Sequence, residues 1–144
     1  MKIIFLDIDG VLNTHKTIHT FGRDFIDDAL VAVVAKIVNE TQAKIVLSST
    51  WRLDAQDKLL VEQALACRDL SIHDCTPQIQ TPGSWTERRI EIQAWLDNNQ
   101  HTTRFAILDD WPDASIDGSF FHVDENLGLT VSIAEQVIEH LGRS

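Results

Sequence analysis

Apolar positions in this chain fall into two kinds of block. Some are short continuous runs, which suit strands buried on both faces. Ile3-Ile4-Phe5-Leu6 is the first, and residues 43–47, 104–108 and 118–123 repeat the pattern, with a shorter candidate at 71–73. The others recur every three or four residues, which suits one face of a helix. Leu30, Val33, Val34, Ile37 and Val38 predict a helix over 28–40, with Asp27 or Asp28 as its cap. Leu59, Leu60, Ala64 and Leu65 predict a second over 54–66, and Ile90, Ala94 and Trp95 a third over 86–98. Ile133, Ala134, Val137 and Ile138 predict a closing helix over 130–141, capped by Thr130. Residues 14–27 show little period and read as a loop; so do residues 76–85, which hold Pro77, Pro82 and Gly83. Strands and helices alternate, so the expected fold class is α/β, a parallel sheet with helices on both faces.

Composition narrows the picture. With 144 residues, 44% hydrophobic and 24% charged, the chain reads as a single domain over 1–144 with an ordinary core. A net charge of −10 argues against broad, non-specific affinity for nucleic acid or anionic membrane. No apolar run approaches the roughly 20 residues of a membrane span. The chain starts directly in a strand without a charged-then-apolar leader, so the expected location is cytoplasmic. Cys67 and Cys75 lie at no metal or redox spacing and read as plain thiols, and the scattered histidines do not suggest zinc.

The candidate chemistry sits where the strands end. The first run stops in Asp7-Ile8-Asp9-Gly10, the second in Ser48-Ser49-Thr50-Trp51-Arg52, and the fourth in Asp109-Asp110. In an open α/β sheet, ligands bind outside the carboxyl ends of the strands. Parallel strands would therefore collect at least four carboxylates in one crevice. Such a group of like charges calls for a hard divalent cation, and oxygen donors completed by water and phosphate suit Mg²⁺. Around it, one carboxylate can attack phosphorus while a second moves the proton. A hydroxyl and a basic side chain can hold the phosphoryl oxygens.

Asp7-Ile8-Asp9-Gly10-Val11-Leu12-Asn13 resembles the first motif of the haloacid dehalogenase (HAD) superfamily of phosphatases. Ile45-Val46-Leu47-Ser48 is similar to the second motif, and Ile107-Leu108-Asp109-Asp110 to the fourth. Together with Ser48-Ser49-Thr50-Trp51-Arg52, the set looks like the HAD phosphatase domain associated with RNA-repair proteins. The resemblance implies a three-layer Rossmann-like HAD fold with minimal or no cap. It implies Asp7 as nucleophile and Asp9 as general acid/base. Mg²⁺ would be held by Asp7, the backbone carbonyl of Asp9, and Asp109, with Asp110 beside them. Ser48, with Ser49 next to it, would bind the phosphoryl group. The third motif, a Lys or Arg before the fourth, fits Arg88 best, with Arg89 adjacent.

Each residue also has a plainer reading. The acids can be turn residues, Ser48 to Thr50 can cap a helix, and Arg88 can be an exposed helix residue paired with Glu91. Arg52 either reaches substrate or braces an acid. Trp51, Trp85 and Trp111 are read as packing rather than base stacking, His15 as a loop residue, and Asp113 and Asp117 as surface turns. The short segments after the first and second motifs leave no room for a large cap, so an open site is expected. An open site favours a macromolecular phosphorylated substrate, such as a polynucleotide end or a phosphoprotein. Lys16, Arg23, Arg52, Arg88 and Arg89 are candidates for a local basic rim. A small-molecule phosphatase and a weakly catalytic phospho-binding or regulatory module remain the alternatives.

Overall fold

A computed structural model describes residues 1–79 and 86–144. Among these, the chain runs β1 (Lys2–Leu6), α1 (His15–Phe21), α2 (Asp28–Thr41), β2 (Lys44–Leu47), α3 (Ala55–Ala66), β3 (Ile72–Cys75), α4 (Arg88–Asp97), β4 (Arg104–Asp109), β5 (Phe120–His122) and α5 (Val131–Leu141). Two short 3-10 turns, Thr50–Leu53 and Pro112–Ala114, follow β2 and β4. The five strands form one sheet in the order β3-β2-β1-β4-β5, every neighbouring pair parallel. All five carboxyl ends therefore open on one edge, with β1 at the centre.

Period-two alternation divides β1 between two cores. Ile4 and Leu6 face α2, α3 and α5 through Val34, Ile37, Val61, Leu65, Val137 and Ile138. Ile3 and Phe5 face α4 through Ile92 and Trp95. Helices thus cover both faces, as the alternating pattern predicts. The caps are local: Asp27 accepts from the Ala29 N–H, Asp54 from Gln56 and Asp57, and Thr130 from Ile133.

Three expectations need correction. Residues 14–27 are not all loop: α1 forms inside them, started by a capping box in which the Thr14 and Thr17 hydroxyls satisfy each other's backbone N–H groups. In α3 the buried stripe runs through Val61 and Leu65, with Leu60 and Ala64 at its margin, while Leu59 is exposed. In α4 the inward stripe is Arg88, Glu91, Ile92 and Trp95, and Ile90 points out. That stripe keeps helical spacing but has charged residues at its site end, so apolar periodicity alone misplaces it. The loop expected over residues 76–85 lies only partly within the described residues, and Trp85 lies outside them.

Candidate active site

The carboxyl edge of β1, β2 and β4 assembles the site. Asp7 leaves β1 with its N–H bonded to the Leu108 carbonyl, which docks the first acid against the end of β4. One carboxylate oxygen each from Asp7, Asp109 and Asp110 lies within 4.8 Å of the others. Asp7 is 3% exposed and Asp109 0%. Gly10, at φ +80°, lets the turn after Asp9 pass against this group: a Cβ there would stand 2.5 Å from Asp110 Oδ2.

Arg88 supplies the opposing charge. Its Nη1 lies 2.6 Å from Asp109 Oδ2 and 3.1 Å from Asp7 Oδ1. It is not the exposed partner of Glu91. Its helix is aimed by Asp113, whose Oδ2 accepts the Arg88 N–H at 3.4 Å; Asp113 is thus a supporting residue rather than a plain surface turn. Burial draws the guanidinium pKa down, but Asp7 and Asp109 more than reverse this and hold it above its ordinary value. Burial, then the charge of Asp109, pushes Asp7 well above the usual carboxylate range, against the pull of Arg88. Burial also raises Asp110, to about 6. Three carboxylates and one arginine leave surplus negative charge, which a shared proton or a cation offsets.

Asp9 stands apart from that triad. Its Oδ1 accepts from Asn13 Nδ2 at 3.2 Å and its Oδ2 from Trp51 Nε1 at 3.1 Å. Two donors hold the carboxylate outward. Asn13 has a second task, since its Oδ1 accepts the Gly10 N–H at 2.9 Å. Sequence reasoning missed both donors. Asn13 lies within the first motif, but nothing there signals its role; Trp51 is 42 residues from Asp9 and reads as packing.

At the end of β2, Ser48 is fully buried and its Oγ has no hydrogen-bond partner. Such an orphan hydroxyl fits an incoming anionic oxygen. Ser49 differs: its Oγ accepts the Trp51 N–H at 3.2 Å and caps the 3-10 turn. Arg52 resolves as a brace. It donates to the carbonyls of Ser49 at 2.9 Å and Thr76 at 2.9 Å, and it pairs with buried Glu91 at 3.1 Å. This ties the end of β2 to the chain after β3 and to α4. Arg89 pairs with Glu87 instead of entering the site. Trp111, just after Asp110, is exposed.

The donor set fits Mg²⁺: three carboxylates, all oxygen, converge from two adjacent strands, with no sulfur or imidazole in the cluster.

A parallel sheet with acids after β1 and β4 and a hydroxyl after β2 defines the class, an α/β domain of the HAD type. The model of one family, described as the HAD domain in Swiss Army Knife RNA repair proteins, matches residues 3–134, and the chain belongs to that family. No match was found among curated proteins or among solved structures. No helix among the described residues is long and apolar enough to cross a membrane.

Proposed function

We propose that the protein is a Mg²⁺-dependent phosphomonoesterase that works through an aspartyl-phosphate on Asp7. The observation that carries this reading is the convergence of Asp7, Asp109 and Asp110 within 4.8 Å beside Arg88, with the orphan hydroxyl of Ser48 at the end of the neighbouring strand. Asp7, Asp109, Asp110 and the Asp9 carbonyl would hold Mg²⁺, which when bound neutralises the acids and charge on the phosphoryl oxygens.

The residues divide the work. An Asp7 oxygen attacks phosphorus; the ester P–O bond breaks, and the leaving oxygen takes a proton from Asp9. Water then attacks the phosphorus and gives its proton to Asp9. The bond to Asp7 breaks, inorganic phosphate leaves and Asp7 is regenerated. Ser48 and Arg88 hold phosphoryl oxygens, Arg88 as a fixed planar donor. Ser49 contributes chiefly by shaping the turn. The outward position of Asp9, fixed by Asn13 and Trp51, suits a group that must reach both a leaving oxygen and a water.

The substrate on this reading is a phosphorylated polynucleotide end, which the family's description as an HAD domain in RNA repair proteins supports. The test is phosphate release from p-nitrophenyl phosphate and from 5′- and 3′-phosphorylated oligonucleotides, with Mg²⁺ and with EDTA, by the wild type and Asp7→Asn. The proposal expects turnover that needs both Mg²⁺ and Asp7. No Mg²⁺-dependent turnover of any of these would favour a phospho-binding module.

A further inference from the structure

We infer that the excursion between the first motif and α2 is a docking ledge for a single-stranded polynucleotide, with Phe21 and Phe25 stacking a base beside the site. The inference rests on the phosphatase reading above and names the part of the substrate that lies outside the phosphoryl pocket.

The ledge is built onto the site. Asn13 Nδ2 donates both to Asp9 Oδ1 and to the Phe25 carbonyl, each at 3.2 Å, so one side-chain amide joins the proposed acid/base to the aromatic segment. The Asp27 N–H returns to the Leu12 carbonyl at 2.8 Å and closes the base of the excursion. The Phe21 and Phe25 rings lie with centroids 4.7 Å apart and planes 30° from parallel. Phe21 is 65% exposed, so it does not serve the core. An aromatic ring left in water at the rim of a phosphate-directed site is a surface on which any base can stack.

Charge supports the same occupant. The chain carries −10 overall, yet no acid occurs between Asp9 and Asp24, the longest acid-free stretch of the sequence. Lys16 and Arg23 lie in that stretch, and both are exposed. Arg23 is 4.0 Å from Asp24 with both side chains in water, a weak pairing that leaves the guanidinium available. Among the other residues of the expected basic rim, Arg52 and Arg88 are engaged in the interior and Arg89 is paired with Glu87. The cations of that rim left outside the interior and outside ion pairs with Glu87 are therefore Lys16 and Arg23, on the same segment as the stacked rings, where Asp24 and Asp27 follow them in sequence. Two rings are far too small for an apolar protein interface, whereas one base and its flanking phosphates match them in size and charge.

The test is fluorescence anisotropy with labelled single-stranded oligoribonucleotides bearing a 5′- or a 3′-phosphate, in an Asp7→Asn background that prevents turnover. Phe21→Ala should weaken binding of at least one of them roughly 5- to 150-fold, the range of a lost base–aromatic stack. Lys16→Gln with Arg23→Gln should weaken binding further and flatten its salt dependence by roughly 1.4 in log–log slope. A phosphopeptide of matched charge should bind more weakly and ignore Phe21→Ala. Equal oligonucleotide binding by Phe21→Ala and its parent overturns the ledge, as does absence of binding by the parent or selective binding of the phosphopeptide. Hydrolysis of p-nitrophenyl phosphate by otherwise wild-type protein should be unaffected by Phe21→Ala. It keeps the two readings separate: its absence counts against the phosphatase, while the anisotropy series judges the ledge.

Discussion

Arg88→Met tests whether the site is held together by charge compensation. Arg88 Nη1 stands 2.6 Å from Asp109 and 3.1 Å from Asp7, and both acids are almost wholly removed from water. Methionine keeps much of the aliphatic volume but removes the cation. Breaking a buried ion pair by removing one partner costs about 3–5 kcal/mol, because the other charge stays buried. A domain of this size loses roughly 2–4 °C of Tm per kcal/mol, so the metal-free variant should melt roughly 6–20 °C lower near neutral pH. The deficit arises from uncompensated negative charge, so a proton or a metal ion should reduce it. At about pH 5 Asp110, raised to about 6, takes up a proton, and the gap to wild type should narrow. Mg²⁺ at a hundredfold excess over its Kd adds about 2.7 kcal/mol to whichever protein binds it. Differential scanning calorimetry at two pH values, with and without Mg²⁺, measures all of this. An unchanged Tm, or a deficit that neither acid nor Mg²⁺ reduces, would refute the reasoning and leave Arg88 as a packing residue.

Other expectations follow from the same contacts. Gly10→Ala forces a Cβ to within 2.5 Å of Asp110 Oδ2 at a positive φ; it should cost roughly 1–3 kcal/mol of stability and weaken Mg²⁺ binding, read by calorimetry and metal titration. Trp51→Phe keeps a buried ring but removes the N–H donor to Asp9. On the phosphatase reading, kcat should fall roughly 10- to 100-fold with KM little changed, and an unchanged kcat would leave Trp51 as packing only. Asp110 holds its proton up to about pH 6, above its unfolded value of 3.8. Its contribution to metal-free stability is therefore present in full below about pH 4 and lost as pH rises through about 6, amounting to about 1–2 kcal/mol after solvent screening. Mg²⁺ must displace that proton, so the Mg²⁺-induced rise in Tm should be larger at about pH 7.5 than at about pH 5.

The sheet was legible because buried parallel strands announce themselves as apolar runs, and the acids and hydroxyls stood out because each ends such a run. Less was legible where polar groups substitute for apolar ones. α1 starts with a Thr14–Thr17 box and buries no residue, so it leaves no hydrophobic period to detect. The inward face of α4 begins with Arg88 and Glu91, whose burial depends on Asp7, Asp109 and Arg52, all distant in sequence. The separation of Asp9 from the acidic triad was likewise hidden. Adjacent positions in Asp7-x-Asp9 suggest a shared crevice, but Asn13 and Trp51 draw the second carboxylate away. Long-range hydrogen bonds of this kind leave no periodic trace in a single sequence.

The central claim is that Asp7 is the nucleophile, and beryllium fluoride tests it directly because it forms a stable mimic of an acyl phosphate. A crystal structure with Mg²⁺ and beryllium fluoride should show the fluoride adduct on an Asp7 carboxylate oxygen, with Ser48 and Arg88 contacting its fluorines. An adduct on Asp9, Asp109 or Asp110, or no adduct on any carboxylate at saturating Mg²⁺, would contradict the account.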